Sequence, residues 1–144
     1  MEIKGICPIA PAVFNDAGEV DYNGYEHACT EMIRHGAQAL TLFGIAGEYY
    51  KLDRDEEEKL IDSTIAVCHT NGVPAIVSNT RHSTESAVKW AKKIESSGAD
   101  CMMVLPPFFL KPGGAALFAH IDAVCSSVNI PVMFQYAPEQ TGVA

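Results

Sequence analysis

Along these 144 residues, five apolar runs alternate with four stretches whose apolar residues recur at helical spacing. That alternation is the tightest constraint on the fold, because it reads β-α-β-α-β-α-β-α-β. The runs are Ile3 to Phe14 (broken by Pro8 and Pro11), Gln38 to Phe43, Pro74 to Ser78, Asp100 to Leu105 and Ile130 to Tyr136. Each is apolar almost throughout rather than at every second position, which marks strands of a parallel sheet covered on both faces.

The helical stretches carry their own start and stop signals. After a polar turn at Asn15-Asp16-Ala17-Gly18, a stripe of Tyr22, Tyr25, Cys29, Met32 and Ile33 runs from Asp21 to a stop at Gly36. Asp53 with Glu56 predicts a capping box, ahead of Leu60, Ile61, Thr64, Ile65 and Cys68 and a close at Asn71-Gly72. Ser83 or Thr84 caps a third helix with Val88, Ala91 and Ile94 inward and Gly98 at its end. The fourth follows Gly113-Gly114, with Leu117, Phe118, Ile121, Val124, Cys125 and Val128 as its apolar positions. An echo between Gly36-Ala37-Gln38-Ala39-Leu40 and Gly98-Ala99-Asp100-Cys101-Met102 supports regular βα units. Two architectures fit, an open doubly wound sheet and part of a (β/α)8 barrel. No G-x-G-x-x-G follows the first run, which counts against a dinucleotide-binding sheet.

Charge and cysteine usage narrow the partners. A formal net charge of −8 makes a nucleic-acid groove or an anionic membrane surface a poor fit. Cys7, Cys29, Cys68, Cys101 and Cys125 form no C-x-x-C pair, which points to reduced thiols in a cytoplasmic protein and away from a zinc site or disulfide framework. No run approaches the ~20 residues of a membrane helix.

The second run ends in Leu42-Phe43-Gly44-Ile45-Ala46-Gly47-Glu48. Two glycines after a buried strand predict a tight turn with free φ and bare amides, a place where an anion can approach the backbone. Glu48 reads as a first-turn helix residue or a loop anchor rather than a general acid. Asn79, Arg81 and His82 follow the third run, with Asn79 a candidate for substrate contact. His27, His35, His69 and His120 fall on helices or their ends, and Trp90 on a packed helix face. Pro106-Pro107-Phe108-Phe109-Leu110 is an apolar loop better explained as a subunit contact than as free surface.

In these residues the chain resembles the dihydrodipicolinate synthase / N-acetylneuraminate lyase family of class I aldolases and lyases. The resemblance runs from about Gly5 to Gly142. It rests on Pro8 with the Phe14 to Asp21 turn, Gly44 to Glu48, Ser83-Thr84-Glu85, Pro106-Pro107-Phe108-Phe109 with Pro112, and Pro138 with Thr141-Gly142. It implies a (β/α)8 barrel with its site at the carboxyl ends of the strands. Residues 1–144 then form an incomplete barrel domain of about five strands and four helices, continuing beyond Ala144. The resemblance places the Schiff-base lysine on a sixth strand, outside this sequence. Lys4, Lys51, Lys59, Lys89, Lys92 and Lys93 fall on the first run or on solvent-facing stretches. Lys111 lies in a loop where a solvated amine is a poor nucleophile.

The resemblance also implies roles, and this chain departs from several of them. Gly44, Ile45, Ala46 and Gly47 stand at the carboxylate-binding turn, with Ile45 and Ala46 in place of two hydroxyl residues. The amides of Ala46 and Gly47 remain as donors. The acid–base tyrosine of the fifth strand aligns with Gln135; Tyr136, one residue on, faces the other way unless a bulge re-aims it. The carboxylate-holding arginine is Gln140. An aromatic that crosses a dimer interface in the synthase aligns with Phe109, beside Phe108, and lacks a hydroxyl. The first-strand Thr-Pro-Phe is Ala12-Val13-Phe14.

The expected activity is therefore a Schiff-base-forming lyase or aldolase acting on a pyruvate-type 2-oxo acid, other than dihydrodipicolinate synthase itself. Gln135 and Tyr136 are its candidate catalytic residues, and Gly44 to Gly47, Asn79 and Gln140 its candidate substrate contacts. A sugar-acid dehydratase of the same family, a barrel that binds a metabolite without turnover and an inactive fragment are the alternatives. No cofactor or metal is expected. The expected partners are the small-molecule substrate and further copies of the chain in a dimer or tetramer, with no nucleic acid or membrane.

Overall fold

The computed structural model describes residues 3–142, which fall into two compact units, one up to Val77 and one from Ser78 onward. Met1, Glu2, Val143 and Ala144, the ends of the expected domain, lie outside the described residues.

In the first unit, α1 (Tyr22–Arg34) starts at Asp21, whose carboxylate accepts from the Gly24 amide, and buries Tyr25 and Cys29. It packs on α2 (Arg54–Thr70), which opens with the expected capping box: Asp53 accepts from the Glu56 amide, and Glu56 reaches back to the Asp53 amide. Leu60, Ile61, Thr64, Ile65 and Cys68 are buried as the spacing requires. The two helices are tied by Tyr25 and Thr64, oxygen to oxygen at 2.6 Å. Thr64 spends its own proton on the Leu60 carbonyl, so Tyr25 donates. Between the helices in chain order comes β1 (Leu40–Leu42), parallel to β2 (Ala75–Asn79), with Leu40 opposite Ala75 and Leu42 opposite Val77.

The first apolar run is not a strand. It makes one parallel bridge, Ile9 to Thr41, and one antiparallel bridge, Phe14 to Val20. Its bonds to β1 explain why. The Gln38 amide donates to the Ile6 carbonyl and the Thr41 amide to the Pro8 carbonyl, three residues on one side against two on the other. The Ala10 amide returns a bond to the Thr41 carbonyl at 2.9 Å, but Pro8 has no N–H to offer towards the preceding residues, so the ladder stops at this one bridge. Two short 3-10 turns, Ile45–Gly47 and Tyr49–Lys51, follow β1 where a single tight turn was expected.

In the second unit, α3 (Thr84–Ser96) is capped by Ser83 and buries Ala87, Trp90, Ala91 and Ile94, with Val88 half-buried at the edge. Strands β3 (Cys101–Val104) and β4 (Val132–Phe134) are parallel, pairing Met102 with Val132 and Val104 with Phe134. Helix α4 (Gly114–Cys125) differs from expectation, since Val124 is the buried member of its apolar stripe and Phe118 is 72% exposed. Leu117, Phe118 and Ile121 instead line an open groove of about 270 Å³ with Phe134 and Tyr136. A short α5 (Pro138–Thr141), begun by Pro138 and ended by Gly142 at φ 66°, had not been expected.

The strand order is β1-β2-β3-β4. A doubly wound sheet reverses direction at a switch point, whereas a (β/α)8 barrel adds strands in sequence. Four parallel strands in chain order with helices between them are the N-terminal part of such a barrel. No helix among the described residues is long and apolar enough to cross a membrane.

Candidate functional site

The turn after β1 is built differently from its sequence reading. Its two glycines do not take left-handed backbone. Gly44 has φ −68° and ψ 160°, while the flanking Phe43 and Glu48 carry positive φ, 62° and 55°. Left-handed backbone on bulky residues costs free energy and clusters at functional turns. The glycines are required by packing instead. A methyl on Gly44 would stand 2.4 Å from Ile9 Cδ1 and 2.7 Å from Ile9 Cγ1, and one on Gly47 would stand 3.3 Å from the Ala10 carbonyl oxygen.

Nor is every amide bare. Gly47 donates to the Gly44 carbonyl at 2.8 Å, so it is spent inside the turn. No side chain caps the start at Gly44, and the leading amides of a helical turn have no partner within it. These are the amides of Ile45, which is half-buried, and Ala46, which is exposed. Glu48 anchors the second turn through Lys51 Nζ at 3.0 Å, both side chains about half exposed.

In the second unit, Asn79 closes β2 and is buried. Its Nδ2 donates to the Ala87 carbonyl of α3 at 2.8 Å, and its Oδ1 takes the Arg81 amide at 3.4 Å. The amide expected to reach substrate is thus engaged in holding strand to helix. Arg81 stacks over Trp90 at 4.4 Å.

His82 and His120 share a cavity of about 570 Å³ with Thr84, Pro107, Phe109, Leu110, Pro112 and Ala116. His82 meets Phe108 edge-on at 4.9 Å. His120, expected as an ordinary helix residue, is buried, with Nδ1 3.1 Å from the Thr84 hydroxyl. Burial, and then the neighbouring His82, hold the His120 imidazole below its usual range. Phe109 and Leu110 project outward, 82% and 85% exposed.

The fifth apolar run resolves its two candidates. The Gln135 amide donates to the Val104 carbonyl at 2.9 Å, so the ladder continues through it without a bulge. Phe134 and Tyr136 line the groove on α4, and strand alternation turns Gln135 to the opposite face. Tyr136 is 68% exposed, whereas Gln135 is half-buried with its Oε1 closed off from solvent. Gln140 lies exposed on α5.

One residue escaped the sequence reading. Ser78 is fully buried on β2, and its hydroxyl, like Gln135 Oε1, has no hydrogen-bond partner. The available signal was a hydroxyl beside Asn79 at the end of an apolar strand.

The chain has clear relatives. The model of the dihydrodipicolinate synthetase family matches residues 2–144. The 4-hydroxy-tetrahydrodipicolinate synthase of Wolinella succinogenes is 36% identical over 126 residues, 88% of this chain and 43% of its own. A dihydrodipicolinate synthase from Acinetobacter baumannii, crystallised with pyruvate, superposes with a TM-score of 0.86 at 27% identity, over 95% of this chain and 47% of that one. Another from Bacillus anthracis superposes with a TM-score of 0.91 at 25% identity, over 99% of this chain and 49% of that one. The chain spans about half the length of the curated relatives it matches.

Proposed function

We propose that this chain, which belongs to the dihydrodipicolinate synthetase family, supplies about the first half of the barrel of a lyase that joins a 2-oxo acid to a lysine as an imine. The lysine is carried outside these residues. Condensation of the amine with the 2-oxo carbon releases water. The protonated imine takes up the electron pair left when the carbon beside it loses a proton or has its carbon–carbon bond cleaved, giving an enamine. In a dehydration the enamine pair then expels the next carbon's hydroxyl as water, and hydrolysis of the imine frees the lysine.

The observation that carries the reading is the turn Ile45–Gly47 at the carboxyl end of β1. No side chain caps it, and the leading amides of such a turn have no partner within it. Such amides hold a carboxylate without a cationic side chain, in keeping with an acidic protein. That a synthase 27% identical to this chain was crystallised with pyruvate supports the same substrate class. In this reading Gln135 orients the substrate, and proton transfer falls to water or to a substrate hydroxyl, because a neutral amide does not relay protons at neutral pH. Ile45, Ala46 and Gln135 also favour a second substrate different from that of the named relatives. We place the enzyme in the cytoplasm, as a homo-oligomer joined through Phe109 and Leu110.

The test is borohydride trapping of the full-length protein with pyruvate, followed by peptide mapping. A reduced adduct on a lysine outside residues 1–144 is expected. Absence of any covalent increase with pyruvate and several other 2-oxo acids would overturn the imine. Binding without turnover, the reading that Gln135 favours most among the alternatives, predicts stabilisation by pyruvate with no adduct.

A further inference from the structure

Within the first unit the dipeptide Asn-Gly occurs twice, as Asn23-Gly24 at the start of α1 and as Asn71-Gly72 just past the end of α2. Asparagine is a thermolabile residue, and a following glycine brings no side chain to hinder its loss. The glycine nitrogen gives up its proton and attacks the asparagine Cγ, the carboxamide nitrogen leaves as ammonia, and a cyclic imide closes. Water then opens the imide at either carbonyl, leaving aspartate or isoaspartate. Closure requires the asparagine backbone to turn out of the helical range, so that the next nitrogen faces the side chain.

The fold opposes that turn at one site and not at the other. Asn23 is the second residue of α1, and the Gly24 amide is held by Asp21 Oδ1 at 2.9 Å. A side chain on Gly24 would stand 3.3 Å from Val13 Cγ1, so this turn is packed as well as capped. Turning Asn23 would undo the cap and the first turn with it. Asn71 lies past the last helical residue, at φ −97° and ψ 4°, and both it and Gly72 are exposed. Around Gly72, at φ 70°, nothing among the described residues comes within 4 Å of where a side chain would stand. Its amide meets the His69 carbonyl at 3.2 Å, the long end of a hydrogen bond.

We propose that Asn71-Gly72 is a site of spontaneous modification, where the folded protein converts asparagine to aspartate and isoaspartate, and that the product loosens the end of α2. Asn71 Nδ2 donates to the Val67 carbonyl at 2.8 Å. Conversion replaces that donor with an accepting carboxylate and sets a negative charge at the negative end of the helix dipole. Isoaspartate also lengthens the main chain just before Val73 and Pro74, whose amide and carbonyl meet Cys68 and Leu40.

The experiment holds full-length protein in warm, mildly alkaline buffer and follows it by peptide mapping in a mass spectrometer, beside a portion kept unfolded in urea. In the folded protein Asn71 should convert faster than Asn23 by about tenfold or more, roughly the worth of the Asp21 cap. The unfolded chain should convert both at similar rates. Similar rates in the folded protein, a faster Asn23, or no conversion at Asn71 would overturn the site. The same preference in urea would assign it to neighbouring sequence rather than to the fold, and would overturn it too. Asn71→Asp should speed hydrogen exchange of the Val73 amide severalfold; exchange as slow as in wild type would overturn the loosening of α2.

Discussion

Gly44 lies so close to Ile9 that a methyl group on it would stand 2.4 Å from Ile9 Cδ1 and 3.0 Å from Ile9 Cγ2. The turn after β1 is thus seated directly on the N-terminal run, with no room for a side chain between them. Gly44→Ala should destabilise the full-length protein by about 1–3 kcal/mol through overpacking. Ile9→Ala removes all the atoms in the way, so the double variant should lose less than the sum of the single losses. Denaturant midpoints measure this. Additive losses would mean that the glycine serves something other than this contact.

Gln135 and Tyr136 face opposite sides of one strand, and their variants should separate accordingly. Gln135→Ala should weaken substrate binding by about 1–3 kcal/mol if a buried hydrogen bond is removed. Tyr136→Phe should alter stability slightly and the rate little, since the ring lines the groove on α4. Steady-state kinetics on both variants checks the pair. A rate loss of ~100-fold for Tyr136→Phe with folding intact would hand it the acid–base role.

His120 gives the protein a pH-dependent component of stability. Its folded-state value lies below 6.5, through burial first and His82 second. Below about pH 6.5 the unfolded chain therefore binds the proton more readily, and stability declines as pH falls toward the folded-state value. Above that range this contribution is complete. His120→Gln keeps a partner for Thr84 and removes the titration, so the slope should flatten. Unfolding midpoints of both proteins from about pH 5 to 7.5 give the answer; parallel curves would assign the slope elsewhere.

Phe109 and Leu110 leave a large apolar area in water, which a lone subunit seldom tolerates. Phe109→Asp with Leu110→Glu should shift the full-length protein to a smaller species in sedimentation velocity. An unchanged sedimentation coefficient would place the subunit contact on another surface.

The helix starts were legible because their chemistry is local. Asp21, Asp53 and Ser83 each meet a backbone amide three residues on, a distance that the sequence itself displays. The first run misled because residue type suggested a strand, while Pro8 and the three-against-two step decided otherwise. Gly44 was legible as special but for the wrong reason, since what it avoids is a side chain from a distant part of the chain. The inward face of Gln135 followed from register with Pro138 and Thr141-Gly142. Ser78 did not stand out, because its isolation depends on Asn79 taking the helix side. The exposure of Phe118 was equally hidden, for an amphipathic pattern shows which face wants cover and not whether cover is present.

The uneven pairing of β1 makes neighbouring amides report on different motions. Leu40 donates to the Pro74 carbonyl beside β2, whereas Gln38 and Thr41 donate to Ile6 and Pro8 of the N-terminal run. The run answers with the Ala10 amide on the Thr41 carbonyl but has no donor at Pro8, so it is held by fewer bonds than a full ladder and should open before the sheet does. In deuterated solvent, Gln38 and Thr41 would then exchange on the clock of the lifting segment and Leu40 on the slower clock of the sheet. A single short strand so carries two independent gauges, one for the detachment of the chain's beginning and one for the opening of the barrel wall.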